Sequence, residues 1–185
     1  MVNKFIEEIN LALDNNLYLV ALNTALTLPD ICGKAEYPNL TPTARYKKWY
    51  SEHIGQYEIN PINKARGINM PYLSGNIVYS LRCSLLHQGN PNIEGKHNIN
   101  FSLVIEKKNE FDMYVDASSC GGNERGYSVS IRRLCCILCW TAEEYYKNNK
   151  NKFDFFNYRI VNIEDERKMI DEEYKQIDEL LKGNK

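Results

Sequence analysis

The stretch from Leu17 to Leu28 constrains the fold of this chain more than any other. It is the longest apolar run in the sequence, broken by Asn23 and Thr24. It falls short of the ~20 apolar residues that a membrane-spanning helix needs. A helix that is apolar nearly all round has to be buried, so residues 17–28 are expected to form a central helix with others packed around it. Pro29 is expected to end that helix, because proline disfavours helical conformation in the residue before it. Asp30, Ile31, Cys32 and Gly33 then read as the start of a loop that contains Pro38 and Pro42.

The flanking segments supply the rest of a bundle. Val2, Phe5, Ile6, Ile9 and Leu13 recur at helical spacing, and Asp14-Asn15-Asn16 marks a turn after them. Thr43 is placed to cap a helix through about Ile54 that carries Tyr46, Trp49, Tyr50 and His53. Residues 55–72 contain Gly55, Pro61, Gly67 and Pro71 and read as loop. Ser74 begins a further helix to about His87, with Gln88-Gly89-Asn90-Pro91 as its stop. Ile99, Phe101, Leu103 and Ile105 alternate with polar neighbours, as do Phe111, Met113 and Val115, which predicts an inserted β-hairpin over 98–117. Tyr127 to about Tyr146 returns to helix. A charged helix closes the chain over 164–182, its Ile170, Tyr174, Ile177 and Leu181 at coiled-coil spacing. The expected fold is therefore mainly α, a single domain over 1–185 with a small hairpin inserted.

Composition narrows the function classes. Hydrophobic residues are 43% and charged residues 25% of the 185, which is the make-up of a globular chain. The first eight residues carry charges where a signal peptide requires an apolar core, so a cytoplasmic protein that does not cross a membrane is expected. In that setting the six cysteines, Cys32, Cys83, Cys120, Cys135, Cys136 and Cys139, read as reduced thiols and not as a disulfide framework. Cys135, Cys136 and Cys139 share one helix, where cysteines pack as small hydrophobes. Only Cys120 and His97 could join them on a zinc ion, and neither lies in a ligand-pair spacing, so no metal and no cofactor is expected. A net charge of −1 excludes a broad electrostatic grip on nucleic acid. Local basic clusters such as Arg45-Tyr46-Lys47-Lys48 and Arg132-Arg133 read first as solvated helix faces, and a site touching a few phosphates stays open. The aromatics of the first cluster, Tyr46, Trp49 and Tyr50, read as packing and not as stacking platforms. His53 and His97 are isolated, each a surface or capping histidine.

The segment Tyr79-Ser80-Leu81-Arg82-Cys83-Ser84-Leu85-Leu86-His87-Gln88-Gly89 is the most informative. At ~100° per residue Ile77, Val78, Leu81 and Leu85 share the core side, while Tyr79, Arg82, Cys83, Leu86 and His87 lie opposite. A purely solvated face has no use for Tyr79, Cys83 and Leu86, so a second helix or a second subunit is expected against it. His87 falls in the last turn, where the helix dipole favours positive charge.

Arg82-Cys-Ser-Leu-Leu-His87-Gln-Gly, at the end of a helix that follows core helices, resembles the HEPN superfamily over residues 2–148, with the hairpin as an interruption. Those small helical domains carry an Arg, four to six residues, then a His near a helix end, often followed by Gly. The resemblance implies metal-independent cleavage of RNA by a homodimer that joins two such motifs, of the toxin or defence type, with an antitoxin or other protein as a possible partner. Arg82 and His87 would be catalytic, and Tyr79, Cys83, Arg45 and Lys48 would contact substrate. The chemistry suits them: histidine exchanges protons near neutral pH, and the arginine fork clamps phosphate. Arg82 and His87 lie ~140° apart on one helix, so a pair of helices across a dimer would serve one phosphate better than one chain alone. One departure is Cys83, where catalytic members commonly carry Asn, Asp or His after the Arg. The competing view has Arg82 paired to a carboxylate such as Asp30 and His87 capping its own helix, in a non-catalytic dimeric module that binds RNA, a nucleotide or a protein.

Overall fold

The computed structural model describes residues 1–59, 64, 65, 67, 71–95, 98–106, 117–121 and 124–183. They form two compact units, Met1–Phe153 and Asp154–Lys185. The first unit is mainly helical, with helices α1 (Val2–Asp14), α2 (Tyr18–Ala25), α3 (Leu28–Glu36), α4 (Pro42–His53), α5 (Gly75–Gln88) and α6 (Ile131–Asn148). Strands β1 (Asn98–Val104), β2 (Ala117–Gly121) and β3 (Glu124–Ser130) lie between α5 and α6. The second unit is built on α7 (Ile163–Gly183).

The expected helix is shorter and is not buried all round: Ala21, Leu22 and Ala25 face the core, while Leu17, Leu19 and Val20 are each more than half exposed, and Pro29 does not stop it. The chain breaks at Leu26-Thr27, and Pro29 sits in the first turn of α3. Backbone N–H groups in a first turn have no intrahelical acceptor, so a residue without one costs little there. Asp30, Cys32 and Gly33 are thus helical residues, with Asp30 in the turn where a carboxylate suits the helix dipole. Further on, Thr41, two residues before the expected Thr43, caps α4, and its Oγ1 accepts from the Ala44 N–H. Ser74 caps α5 as expected, its Oγ accepting from the Ile77 N–H. Gly89 ends that helix in the left-handed conformation at φ 65, a backbone state that suits glycine.

The described strands form a three-stranded sheet. β1 pairs in parallel with β3, Phe101 opposite Tyr127, and β3 pairs antiparallel with β2, Ser119 opposite Gly126. The order is β1-β3-β2, and among the described residues the antiparallel hairpin is β2–β3; the second run of the expected 98–117 hairpin is the one not described. The run Phe111, Met113, Val115 lies outside the described residues. Residues 127–130, expected as helix, are strand, because Ser130 caps α6 with its Oγ on the Arg133 N–H.

The core is aromatic as well as aliphatic. Tyr46, Trp49 and Tyr50 on α4 are completely buried, as packing requires. α4 itself lies between two close backbone approaches. A Cβ on Gly33 of α3 would stand 2.9 Å from the Arg45 carbonyl oxygen, and one on Gly75 of α5 would stand 2.5 Å from that of Lys47. Both glycines let α3 and α5 press against α4, which gathers residues from all three helices at one place. Cys32, Cys135 and Cys139 are buried, and burial pushes the Cys32 and Cys135 thiols upward and Cys139 up to about 12. Among the described residues no helix is long and apolar enough to cross a membrane.

Candidate functional site

The close approach of α3, α4 and α5 brings Asp30, Arg45 and Arg82 together. Arg45 Nε–H donates to Asp30 Oδ1 at 2.9 Å, while Arg82 Nη2 stands 4.0 Å from Asp30 Oδ2. One carboxylate thus serves two guanidinium groups, and the three side chains together carry one net positive charge. The competing sequence reading, an Arg82–Asp30 pair, is therefore partly met: the pair exists, but Arg45 holds the short contact. Arg82 Nη1 reaches Cys83 Sγ at 3.9 Å, a weak contact. Its Nε is buried with no hydrogen-bond partner among the described residues.

Tyr79, one turn earlier, is covered by α4 of the same chain. Its hydroxyl shares a 2.7 Å hydrogen bond with Thr43, its ring meets Tyr46 edge-on at 5.2 Å, and Lys47 Nζ lies 5.3 Å from its centroid. The cover expected over this side of the helix is thus an intrachain helix along Tyr79 and Arg82. Tyr46 is held with its phenol proton on, well above the ordinary range, by burial and by the neighbouring Tyr50 hydroxyl; the positive charge of Arg82 opposes that shift. Toward the C-terminal end the cover stops. Leu86 is 38% exposed, and His87 beside it is exposed too. The helix cap is made by the Gly89 N–H on the Leu85 carbonyl at 3.1 Å. That end is anchored from behind, where Ser84 Oγ donates to the Asn92 carbonyl at 2.8 Å and Asn92 Oδ1 accepts from the Phe101 N–H at 2.8 Å.

Of the six residues singled out in the sequence, Arg82 and Arg45 meet at Asp30, Cys83 touches Arg82, and Tyr79 lies one turn earlier against Thr43 and Tyr46. His87 stands on the uncovered end of the same helix. Lys48 is elsewhere, with Nζ 4.3 Å from the Tyr37 ring centroid, and Lys47 takes the place beside Tyr79.

Two charged clusters are illegible in the sequence. His53 is not an isolated surface histidine: Nε2–H donates to Glu36 Oε2 at 2.7 Å, Trp49 stacks on its ring at 4.8 Å, and Tyr145 meets it edge-on at 5.3 Å. With one face stacked on Trp49 and one nitrogen engaged, and Tyr145 against the side of the Trp49–His53 stack, this histidine ties α3, α4 and α6 together beside an open cleft of about 580 Å³ that Trp140 and Lys152 border. Nor are Arg132 and Arg133 a solvated face. Arg132 is buried and donates to the Leu13 carbonyl at 3.3 Å, while Arg133 Nη2 donates to Glu58 Oε1 at 2.6 Å. Among the described residues no three His, Cys, Asp or Glu side chains gather as metal ligands.

Comparison with protein-family models, with curated proteins and with solved structures returns no match for this chain. What the site can do therefore rests on its own chemistry. It offers an arginine with donors to spare, a second arginine that holds the shared carboxylate, and an exposed histidine five residues along the same helix.

Proposed function

We propose that this chain is a HEPN-like endoribonuclease that needs no metal and acts as a homodimer through Arg82 and His87. The observation that carries this reading is the state of Arg82. Its Nε has no partner among the described residues and its Nη2 is 4.0 Å from a carboxylate that Arg45 already engages. The side chain is 22% exposed although Nε is closed off, so a phosphate would bind at the two Nη groups, where a bidentate contact is available.

The uncovered strip beyond it, Leu86 with His87 beside it, supplies the rest. Two copies of α5 meeting along Leu86 would set two arginines and two histidines around one phosphate. His87 of one copy takes the proton of a ribose 2′-hydroxyl as that oxygen attacks the adjacent phosphorus. A second histidine, in its protonated form, gives a proton to the leaving 5′-oxygen. Arg82 steadies the negative charge that builds on the phosphate oxygens between these steps. The bond formed is 2′-oxygen to phosphorus and the bond broken is phosphorus to 5′-oxygen, so a cyclic phosphate and a free 5′-hydroxyl result. The cytoplasm is the setting this reading assumes.

The test is sedimentation of the purified chain together with cleavage of single-stranded RNA in EDTA. A dimer that cuts RNA, and that Leu86→Asp converts to an inactive monomer, is expected. A monomeric wild-type chain without cleavage would refute the proposal. The second reading, a non-catalytic dimeric module that binds RNA, a nucleotide or a protein, is favoured by the Asp30 carboxylate already beside Arg82 and by Cys83 after it. It is the outcome if RNA binds and stays intact.

A further inference from the structure

Helix α7 carries a continuous apolar stripe that its own unit does not cover. Ile163, Ile170, Tyr174, Ile177 and Leu181 are between 47% and 67% exposed. Their spacing follows a heptad in which 163, 170 and 177 take one seam position and 167, 174 and 181 the other. Three heptads make this helix ~30 Å long, enough for one coiled-coil contact.

The charges beside the stripe decide what it can pair with. Glu164, Asp171 and Asp178 line one flank and Glu166 and Glu173 the other, while Lys168 and Lys175 lie on the outer face, away from the seam. A second copy of α7, parallel or antiparallel, would set acid against acid along both flanks, and like charges at these positions oppose pairing. One flank carboxylate, Glu166, is already answered within the chain by Arg159. Arg167 is the sole charged residue in the seam. In a parallel self-pair it would meet its own copy, whereas a carboxylate or amide opposite would both satisfy it and set the register.

We propose that α7 is a docking helix for a basic amphipathic helix of a different protein, with apolar seam positions, lysine or arginine on both flanks and one acidic or amide residue opposite Arg167. This inference does not depend on the ribonuclease reading. The probe is a synthetic three-heptad peptide with Ile and Leu in the seam, one Glu for Arg167 and Lys on the flanks, titrated into the full chain. The control peptide has Glu on the flanks and is otherwise identical.

With each of the four flank carboxylates other than Glu166 worth roughly a factor of two, the Lys peptide should bind on the order of fifteenfold tighter than the Glu peptide. Its affinity should fall as salt is raised, and the double variant Ile170→Asp, Ile177→Asp should lose it with the melting temperature of the first unit unchanged. Equal affinity for the two peptides, or none for either, would overturn the proposal. So would a wild-type dimer that Ile170→Asp dissolves, since α7 would then pair with itself. Binding of α7 to vesicles of anionic phospholipid in place of the peptide would overturn it as well. A dimer that only Leu86→Asp dissolves belongs to the nuclease reading and leaves this one standing.

Discussion

Removing the Asp30 carboxylate separates the two roles that Arg45 and Arg82 have around it. Asp30 is 26% exposed and Arg45 16%, so their contact is partly screened and neither a surface pair nor a fully buried one. A charge-assisted hydrogen bond at 2.9 Å contributes about 1.5–3 kcal/mol when its partner is kept and the bond lost; with a quarter of the carboxylate in water, about 2 kcal/mol is the expected cost of Asp30→Ala. For a chain of this length that lowers the melting temperature by about 4–8 °C. Double-mutant cycles then divide the loss. The Asp30–Arg45 coupling should be about 1–2 kcal/mol, whereas Asp30–Arg82, with its 4.0 Å separation, should be near or below 0.5 kcal/mol. Thermal unfolding followed by circular dichroism, with the single and double alanine variants, measures both. An Asp30–Arg82 coupling equal to or larger than the Asp30–Arg45 one would refute the reasoning, because Arg82 would then be committed to structure and have nothing left for a phosphate.

The remaining expectations are cheaper to check. Gly75→Ala places a methyl 2.5 Å from the Lys47 carbonyl oxygen and should cost about 1–3 kcal/mol through overpacking; an unchanged urea midpoint would show that α4 and α5 can part without loss. Alkylation of the native chain, read by mass spectrometry, should label the half-buried Cys83 and Cys136 before Cys32, Cys135 and Cys139. Burial raises the Cys139 thiol from the ordinary 9.0 to about 12 in the folded state, so the unfolded chain loses that proton first. Stability is therefore fully present below pH 9 and falls as pH rises from about 9 toward 12, by up to about 1.4 kcal/mol per pH unit for this one thiol; a Cys139→Ala variant with the same alkaline slope would contradict this.

Local signals make most of the helices legible in the sequence. Ser74 and Gly89 bracket α5 because capping and left-handed termination are properties of single residues. Pro29 misleads for the same local reason: proline stops a helix or begins one, and only the packing of α2 against its neighbours determines which. The strand at 117–121 escapes a sequence reading because Ala-Ser-Ser-Cys-Gly carries no apolar alternation, and β3 is harder to place because its parallel partner β1 lies across a long connection. At the site, the Arg82–His87 spacing is visible and so is Asp30 as a partner for Arg82. That Arg45 takes the short bond is not, since it depends on the backbone approach at Gly33. His53 looks isolated along the chain because Glu36 and Tyr145 reach it from two other helices, α3 and α6, and only Trp49 is one turn away on its own helix.

The most direct measurement is cleavage of single-stranded RNA in EDTA by the wild-type chain and by His87→Ala. His87 is exposed and the helix cap is made by Gly89, so the variant should melt within about 0.5 kcal/mol of wild type. Loss of at least a hundredfold in cleavage rate at unchanged stability is the expected result, which is about the low end of what a proton-transferring side chain contributes. Cleavage by His87→Ala at the wild-type rate, or no cleavage by the wild-type chain, would contradict it.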